Sequence, residues 1–200
     1  VIFQEKAYGR HSHHWVAHNE QNYLSLRTKK NIIEMFAVGK GGQFSKADAS
    51  LSLSLAASKR INYVEFDRDF EHIFILKDTG ALEKRSMEHL DEVALSMQLS
   101  QAVDSTGLKQ LTLSGDGTLC AIAGGIYKSY FYLVDLVSKS QQKVTSKMMN
   151  HSFAPCFING DNEYVALGSS TGQGVEIWDL SKKESLRKLD IDSGYCSAST

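Results

Sequence analysis

One arrangement of apolar runs and polar turns recurs four times along these 200 residues. Each recurrence holds a short apolar run, a turn, a second run, another turn and a third run. The first turns fall at Asn19-Glu20-Gln21-Asn22, Asp67-Arg68-Asp69, Ser114-Gly115-Asp116-Gly117 and Asn159-Gly160-Asp161-Asn162, at spacings of 48, 47 and 45 residues. The second turns, at Lys29-Lys30-Asn31, Lys77-Asp78-Thr79-Gly80, Ile126-Tyr127-Lys128-Ser129 and Ser170-Thr171-Gly172-Gln173, keep step at 48, 49 and 44. A period of this length made of short strands points to a solenoid or a propeller.

The runs themselves read as strands. In the first repeat they are residues 14–17, 23–27 and 32–38, with Gly39-Lys40-Gly41-Gly42 as a loop. Leu51-Ser52-Leu53-Ser54-Leu55 alternates strictly and is expected to supply a fourth strand with one buried face. The second repeat runs through residues 61–66 and 70–76 to a polar, weaker third strand at 81–87. Residues 87–103 admit two readings. Leu90, Val93, Ala94 and Met97 fit a helical period, but the repeat leaves a strand-shaped gap there, so a loop and a strand are expected. The third and fourth repeats are cleaner, with strands at 111–113, 119–124 and 130–136, then 156–158, 164–168 and 175–180. Final strands are expected near residues 143–149 and 185–191. The sheets implied are 13–55, 58–103, 106–149 and 151–192, with a further one starting at 195–200.

Charge and cysteine usage narrow the classes. Lysine plus arginine, 22, nearly cancels aspartate plus glutamate, 23, so no general attraction to nucleic acid or anionic membrane is implied. Cys120, Cys156 and Cys196 form no Cys-x-x-Cys pair, which leaves neither a zinc site nor a disulfide framework in view. Reduced, buried thiols and an intracellular address, cytoplasmic or nuclear, are the expectation. No apolar run approaches the roughly 18 residues a membrane span needs. The chain starts at Val1 and stops where another strand is due, so it is read as a piece of a longer protein.

The fourth repeat carries a family likeness. Asn150-His151, Phe157, Asp161, Tyr164-Val165-Ala166-Leu167-Gly168-Ser169 and Val175-Glu176-Ile177-Trp178-Asp179-Leu180 resemble a WD repeat. The third repeat is similar, with Val134-Asp135 in place of Trp-Asp. The first and second match by spacing and strand pattern. The resemblance implies an all-β propeller of four-stranded antiparallel blades, about four and a half of them here. It gives His151, Asp161, Trp178 and Asp179 structural roles. These repeats are degenerate: Asn150-His151 stands for the usual Gly-His, and Ser170-Thr171-Gly172-Gln173 lacks the aspartate expected in that turn. Only the second repeat has one there, Asp78. A partial propeller leaves an apolar face open, so marginal stability of the segment is expected.

Sites of chemistry are sparse. His11, His13, His14 and His18 form the one tempting metal cluster. On a helix His14 and His18 would share a face, but on a strand His11 and His13 take one side and His14 and His18 the other. Surface or structural histidines are the reading, with a propeller enzyme or metal-binding domain as a distant alternative. There is no nucleophile elbow and no phosphate loop. Asp67 with Asp69, and Asp190 with Asp192, fall at turns or strand ends where carboxylates bond backbone amides. Lys182, Lys183, Arg187 and Lys188 are diluted by Glu184, Asp190 and Asp192 and read as a solvated edge. No catalytic residue, cofactor, metal, membrane or small-molecule substrate is expected.

What remains is a non-enzymatic scaffold for protein partners in a multiprotein complex. The resemblance implies that turns between second and third strands open onto one face with the loops between blades. Lys29, Lys30, Asn31, Lys77, Asp78, Tyr127, Lys128, Thr171 and Gln173 are therefore the expected partner contacts, with Tyr127 the leading anchor. A second reading rests on residues 143–168 and the following Trp-Asp strand. They resemble WD-repeat subunits of the nucleolar small-subunit processome, which would make RNA a partner.

Overall fold

Runs rich in Ile, Val, Leu, Phe and Tyr form strands because branched and aromatic side chains suit a pleated surface. The Gly, Asp, Asn and Ser between them suit tight turns. A computed structural model describes residues 13–18, 21–29, 31–56, 60–99, 110–123, 130–146, 155–158, 162–168 and 174–189. The chain divides into two compact units, residues 1–98 and 99–200. Each holds two blade-like antiparallel sheets, so the architecture is all-β.

In the first unit, one sheet runs β1 (His13–His18), β2 (Gln21–Lys29), β3 (Ile32–Val38) and β4 (Phe44–Lys46). A two-residue strand, β5 (Leu53–Ser54), also pairs with β3. The expected fourth strand is thus corrected: its place is shared by β4 and β5. Phe44 faces Val38 at one end of β3, and Leu53 faces Ile33 at the other. A 3-10 turn at Ala49–Leu51 separates them, closed by Leu51 N–H to Asp48 O and Ser52 N–H to Ala49 O. The alternation of Leu and Ser still holds locally, with Leu53 and Leu55 buried and Ser54 exposed. Gly39-Lys40-Gly41-Gly42 makes the β3–β4 hairpin, where Gly41 and Gly42 take φ of 98° and 77°.

The second sheet of this unit runs β6 (Ile61–Phe66), β7 (His72–Lys77), β8 (Ala81–Ser86) and β9 (Leu95–Gln98). Residues 87–94 form a loop, not a helix, and Leu95–Gln98 fills the gap left by the repeat. The polar third strand is interior to the sheet, paired on both sides. Ile33, Met35, Leu53, Val64, Phe70, Ile73 and Ile75 join other residues of both sheets in one apolar cluster. Removing that much apolar surface from water is the main term holding the pair together.

The second unit repeats the four-strand meander twice. Its sheets are β10 (Gln110–Leu113), β11 (Leu119–Ala123), β12 (Tyr130–Asp135), β13 (Ser140–Thr145), and β14 (Cys156–Phe157), β15 (Tyr164–Gly168), β16 (Val175–Asp179), β17 (Glu184–Leu189). The final strand β13 starts three residues before its expected position, because the β12–β13 turn is shorter than the sequence suggested. Ala121, Phe131, Val144, Phe157, Val165, Leu167 and Trp178 form the core of this unit. The further strand expected at 195–200 lies outside the described residues.

Candidate functional site

The turns were the expected place for function, and two of their described side chains, Lys77 and Asn31, are engaged in structure. Lys77 is corrected from a partner contact: it is 5% exposed and its ammonium is held by Glu83. Asn31 is tied down as well. Its Nδ2 donates to Leu55 O at 2.6 Å, and Leu55 N–H donates back to Asn31 O at 2.9 Å. That pair fastens the β2–β3 turn to the chain just beyond β5. Asp78 is partly exposed, with Arg60 Nε 3.9 Å from its Oδ2. Lys29 ends β2. Lys30, Tyr127, Lys128, Thr171 and Gln173 lie outside the described residues, as do His151, Asp161 and Cys196.

Trp178 and Asp179 divide the work of the Trp-Asp pair. Trp178 is buried and meets Phe131 edge to face, with centroids 5.9 Å apart at 73°. Its Nε1 is buried with no hydrogen-bond partner among the described residues. Asp179 caps the β16–β17 turn, accepting from Lys182 N–H at 2.9 Å and Ser181 Oγ at 2.7 Å, with Lys182 Nζ at 3.1 Å. The Lys182 amide, followed by the Ser181 hydroxyl, holds the Asp179 carboxyl down to about 2. Asp135 repeats the cap in the β12–β13 turn, accepting from Val137 and Ser138 N–H at 2.9 and 2.8 Å. The Ser138 contacts lower its pKa in the same sense. Both turns then place a lysine in the left-handed region, Lys139 at φ 56° and Lys183 at φ 58°.

Two polar contacts cross from one sheet to the other within the second unit. Asn162 Nδ2 donates to Asp116 Oδ2 at 2.8 Å and to Thr118 Oγ1 at 3.0 Å. Asp116 also accepts from Ser114 Oγ, Thr118 N–H and Thr118 Oγ1. Burial alone would raise its pKa, but these donors, led by the Thr118 amide, outweigh it and hold it near about 2. Glu176, 1% exposed, is met by the Ser146 hydroxyl from the end of β13.

The first unit contains a buried ionic cluster that the sequence reading passed over. Glu83 lies between Lys77 and Arg85, and all three are 6% exposed or less. Arg85 Nη2 and Nε reach Glu83 Oε2 at 2.9 and 3.3 Å, and Nη1 donates to Leu90 O at 2.6 Å. Burial pushes the Glu83 carboxyl up, but the two cations prevail and its pKa is lowered. The signal was present: Glu83 and Arg85 stand two apart on a strand and so share a face. Elsewhere on this sheet, burial pushes Glu65 on β6 up to about 7.

Of the sequence-level metal cluster, His13, His14 and His18 lie on β1 and His11 lies outside the described residues. Among the described residues no group of three or more His, Cys, Asp or Glu is placed to hold a metal. No described helix is long and apolar enough to cross a membrane. Cys120 is buried and Cys156 half-buried, both as free thiols, and burial raises the Cys156 pKa.

No protein-family model and no curated protein matches the sequence. Solved structures do match, 960 chains in all. One is the crystal structure of a protein of unknown function from Bacteroides caccae. It is similar over 88% of this chain and 59% of that one, with a TM-score of 0.59 at 10% identity. The likeness is one of fold. The chain spans less than two thirds of that protein's length.

Proposed function

We propose that the chain is part of a WD-repeat-like β-propeller that serves as a non-enzymatic platform for partner proteins. The observation that carries this reading is the recurrence of one turn device at matching positions of successive sheets. Asp135 and Asp179 each end a third strand and cap the hairpin into the fourth. Around such fixed strands, the loops at the sheet ends can vary without cost to the core and present side chains to other chains. Asp78, between β7 and β8, belongs to those loops.

Affinity purification of the full-length protein from its native cell tests this. A reproducible set of co-purifying proteins is the expected result, lost when residues 126–129 and 170–173 are replaced by Gly-Ser segments of equal length. Recovery of the protein alone, or a partner set indifferent to those replacements, would overturn the platform reading. RNA as the dominant, salt-sensitive companion would replace it with nucleic-acid assembly.

A further inference from the structure

The buried cluster of the first unit is out of charge balance. Lys77 and Arg85 bring two positive charges against one carboxylate, Glu83, and these are the ion pairs the described residues give them. Burying a cation without a counter-charge is costly, and such sites gain from any anion that can reach them. Arg85 lines a depression of about 380 Å³ together with Ser52, Leu53, Ser54, Leu55, Ala56, Leu90 and Asp91. The volume is within the usual span of small-molecule sites, roughly 300–1,000 Å³.

Arg85 and Leu90 both line the depression, and Nη1 of Arg85 donates to the backbone oxygen of Leu90. Guanidinium carries five N–H donors. Glu83 and Leu90 O engage three of the nitrogens once each, so a second N–H on both Nη1 and Nη2 is uncommitted among the described residues. Leu53, Leu55 and Leu90 also line it, each 7% exposed or less, and the surface it presents is more polar than apolar. The Ser52 hydroxyl oxygen, at the same wall, is buried with no hydrogen-bond partner among the described residues. Asp91 is exposed at the rim and opposes an incoming anion across water.

We propose that this depression binds a small carboxylate, with Arg85 as the anchoring cation. The carboxylate supplies the missing negative charge and accepts the uncommitted N–H groups. Such a group occurs on a free small acid and at the C-terminus of a polypeptide. The site is separate from the turn surface of the platform reading and stands whether or not that reading holds.

Calorimetric titration of the full chain tests it, with 4-methylpentanoate, its amide and N-acetyl-leucine as probes. The acid is expected to bind at least about tenfold more tightly than the amide, as loss of a charge-assisted contact implies. Tighter binding of N-acetyl-leucine assigns the site to a polypeptide terminus, and tighter binding of 4-methylpentanoate to a free acid. Arg85→Met should abolish binding. Because that change disturbs a buried cluster, Ala56→Trp at the exposed rim is the second variant, and it should block the depression while leaving the fold intact. Asp91→Asn should tighten binding about threefold by removing the opposing charge. Equal affinity for acid and amide, or undiminished binding in folded Ala56→Trp, would overturn the proposal.

Discussion

In the turn from β6 to β7, Phe70 N–H donates to Asp67 O and Asp67 N–H to His72 O, at 3.1 and 3.2 Å. In the turn from β10 to β11, Gly117 and Ser114 make the same two bonds, to Ser114 O and Leu119 O, at 2.9 and 3.0 Å. The last residue of each turn is left-handed, Phe70 at φ 58° and Gly117 at φ 68°. From this shared backbone the two units reach their second sheets differently. Phe70 is 2% exposed and stacks on Tyr23 of β2, with centroids 6.0 Å apart, while touching Phe66 at 5.2 Å. In the second unit the glycine leaves the position bare, and Asp116 reaches Asn162 instead. A turn of fixed geometry therefore accepts either an aromatic or a carboxylate link, provided one residue tolerates positive φ.

The largest effect is expected at Phe70. Phe70→Ala should cost about 3–5 kcal/mol, the usual loss for a buried aromatic ring. Phe70→Gly should cost about 1 kcal/mol less, because glycine escapes the left-handed penalty. Denaturant unfolding of both variants checks this, and equal losses would show that the turn carries no strain.

The next effect separates the units by pH. Glu65 has a folded pKa of about 7 against an ordinary 4.5, so its neutral form is favoured by folding. Its contribution is fully present below pH 4.5 and is lost as pH rises through about 7. The swing is on the order of 3 kcal/mol, and Glu65→Gln should flatten it. Asp116 runs the other way. Its pKa falls from 3.8 to about 2, so its stabilisation is present above pH 3.8 and fades as pH drops through about 2. Stability measured from pH 8 to pH 2 should show both limbs. Asp116→Ala should remove the acid-side loss and cost about 1 kcal/mol at neutral pH, the net worth of an exposed bonded carboxylate.

The four sheets were legible because apolar runs bounded by turn residues recur at a near-constant spacing, as in Tyr130–Asp135 and Val175–Asp179. Reading failed where tertiary contacts override that pattern. Ala81–Ser86 seemed a weak strand because its buried charges look like surface, and only the Lys77–Glu83–Arg85 cluster explains them. Leu51 to Leu55 alternates like a strand, yet a 3-10 turn claims its first residue. Lys77 looked like a turn contact because sequence position gives exposure only on average. Asn162 and Asp116 lie 46 residues apart, and no local pattern links them.

The smallest effect is expected at the β12–β13 and β16–β17 turns. Lys139→Gly and Lys183→Gly should each stabilise by up to about 1 kcal/mol, since both lysines hold positive φ. Thermal unfolding of each variant would show it, and a fall in melting temperature would mean the side chains matter more than the backbone.

Hydrogen exchange of the full chain, read peptide by peptide, decides whether these turns truly join sheet to sheet. In Phe70→Ala, protection should fall in Gln21–Lys29 and Ile32–Val38, on the far side of the link, as well as in β6 and β7. In Asp116→Ala it should fall across Tyr164–Gly168. If exchange quickens only in the substituted turns while the partner sheets keep their protection, the links are ornaments of the turns and the sheets are held by their apolar cores alone.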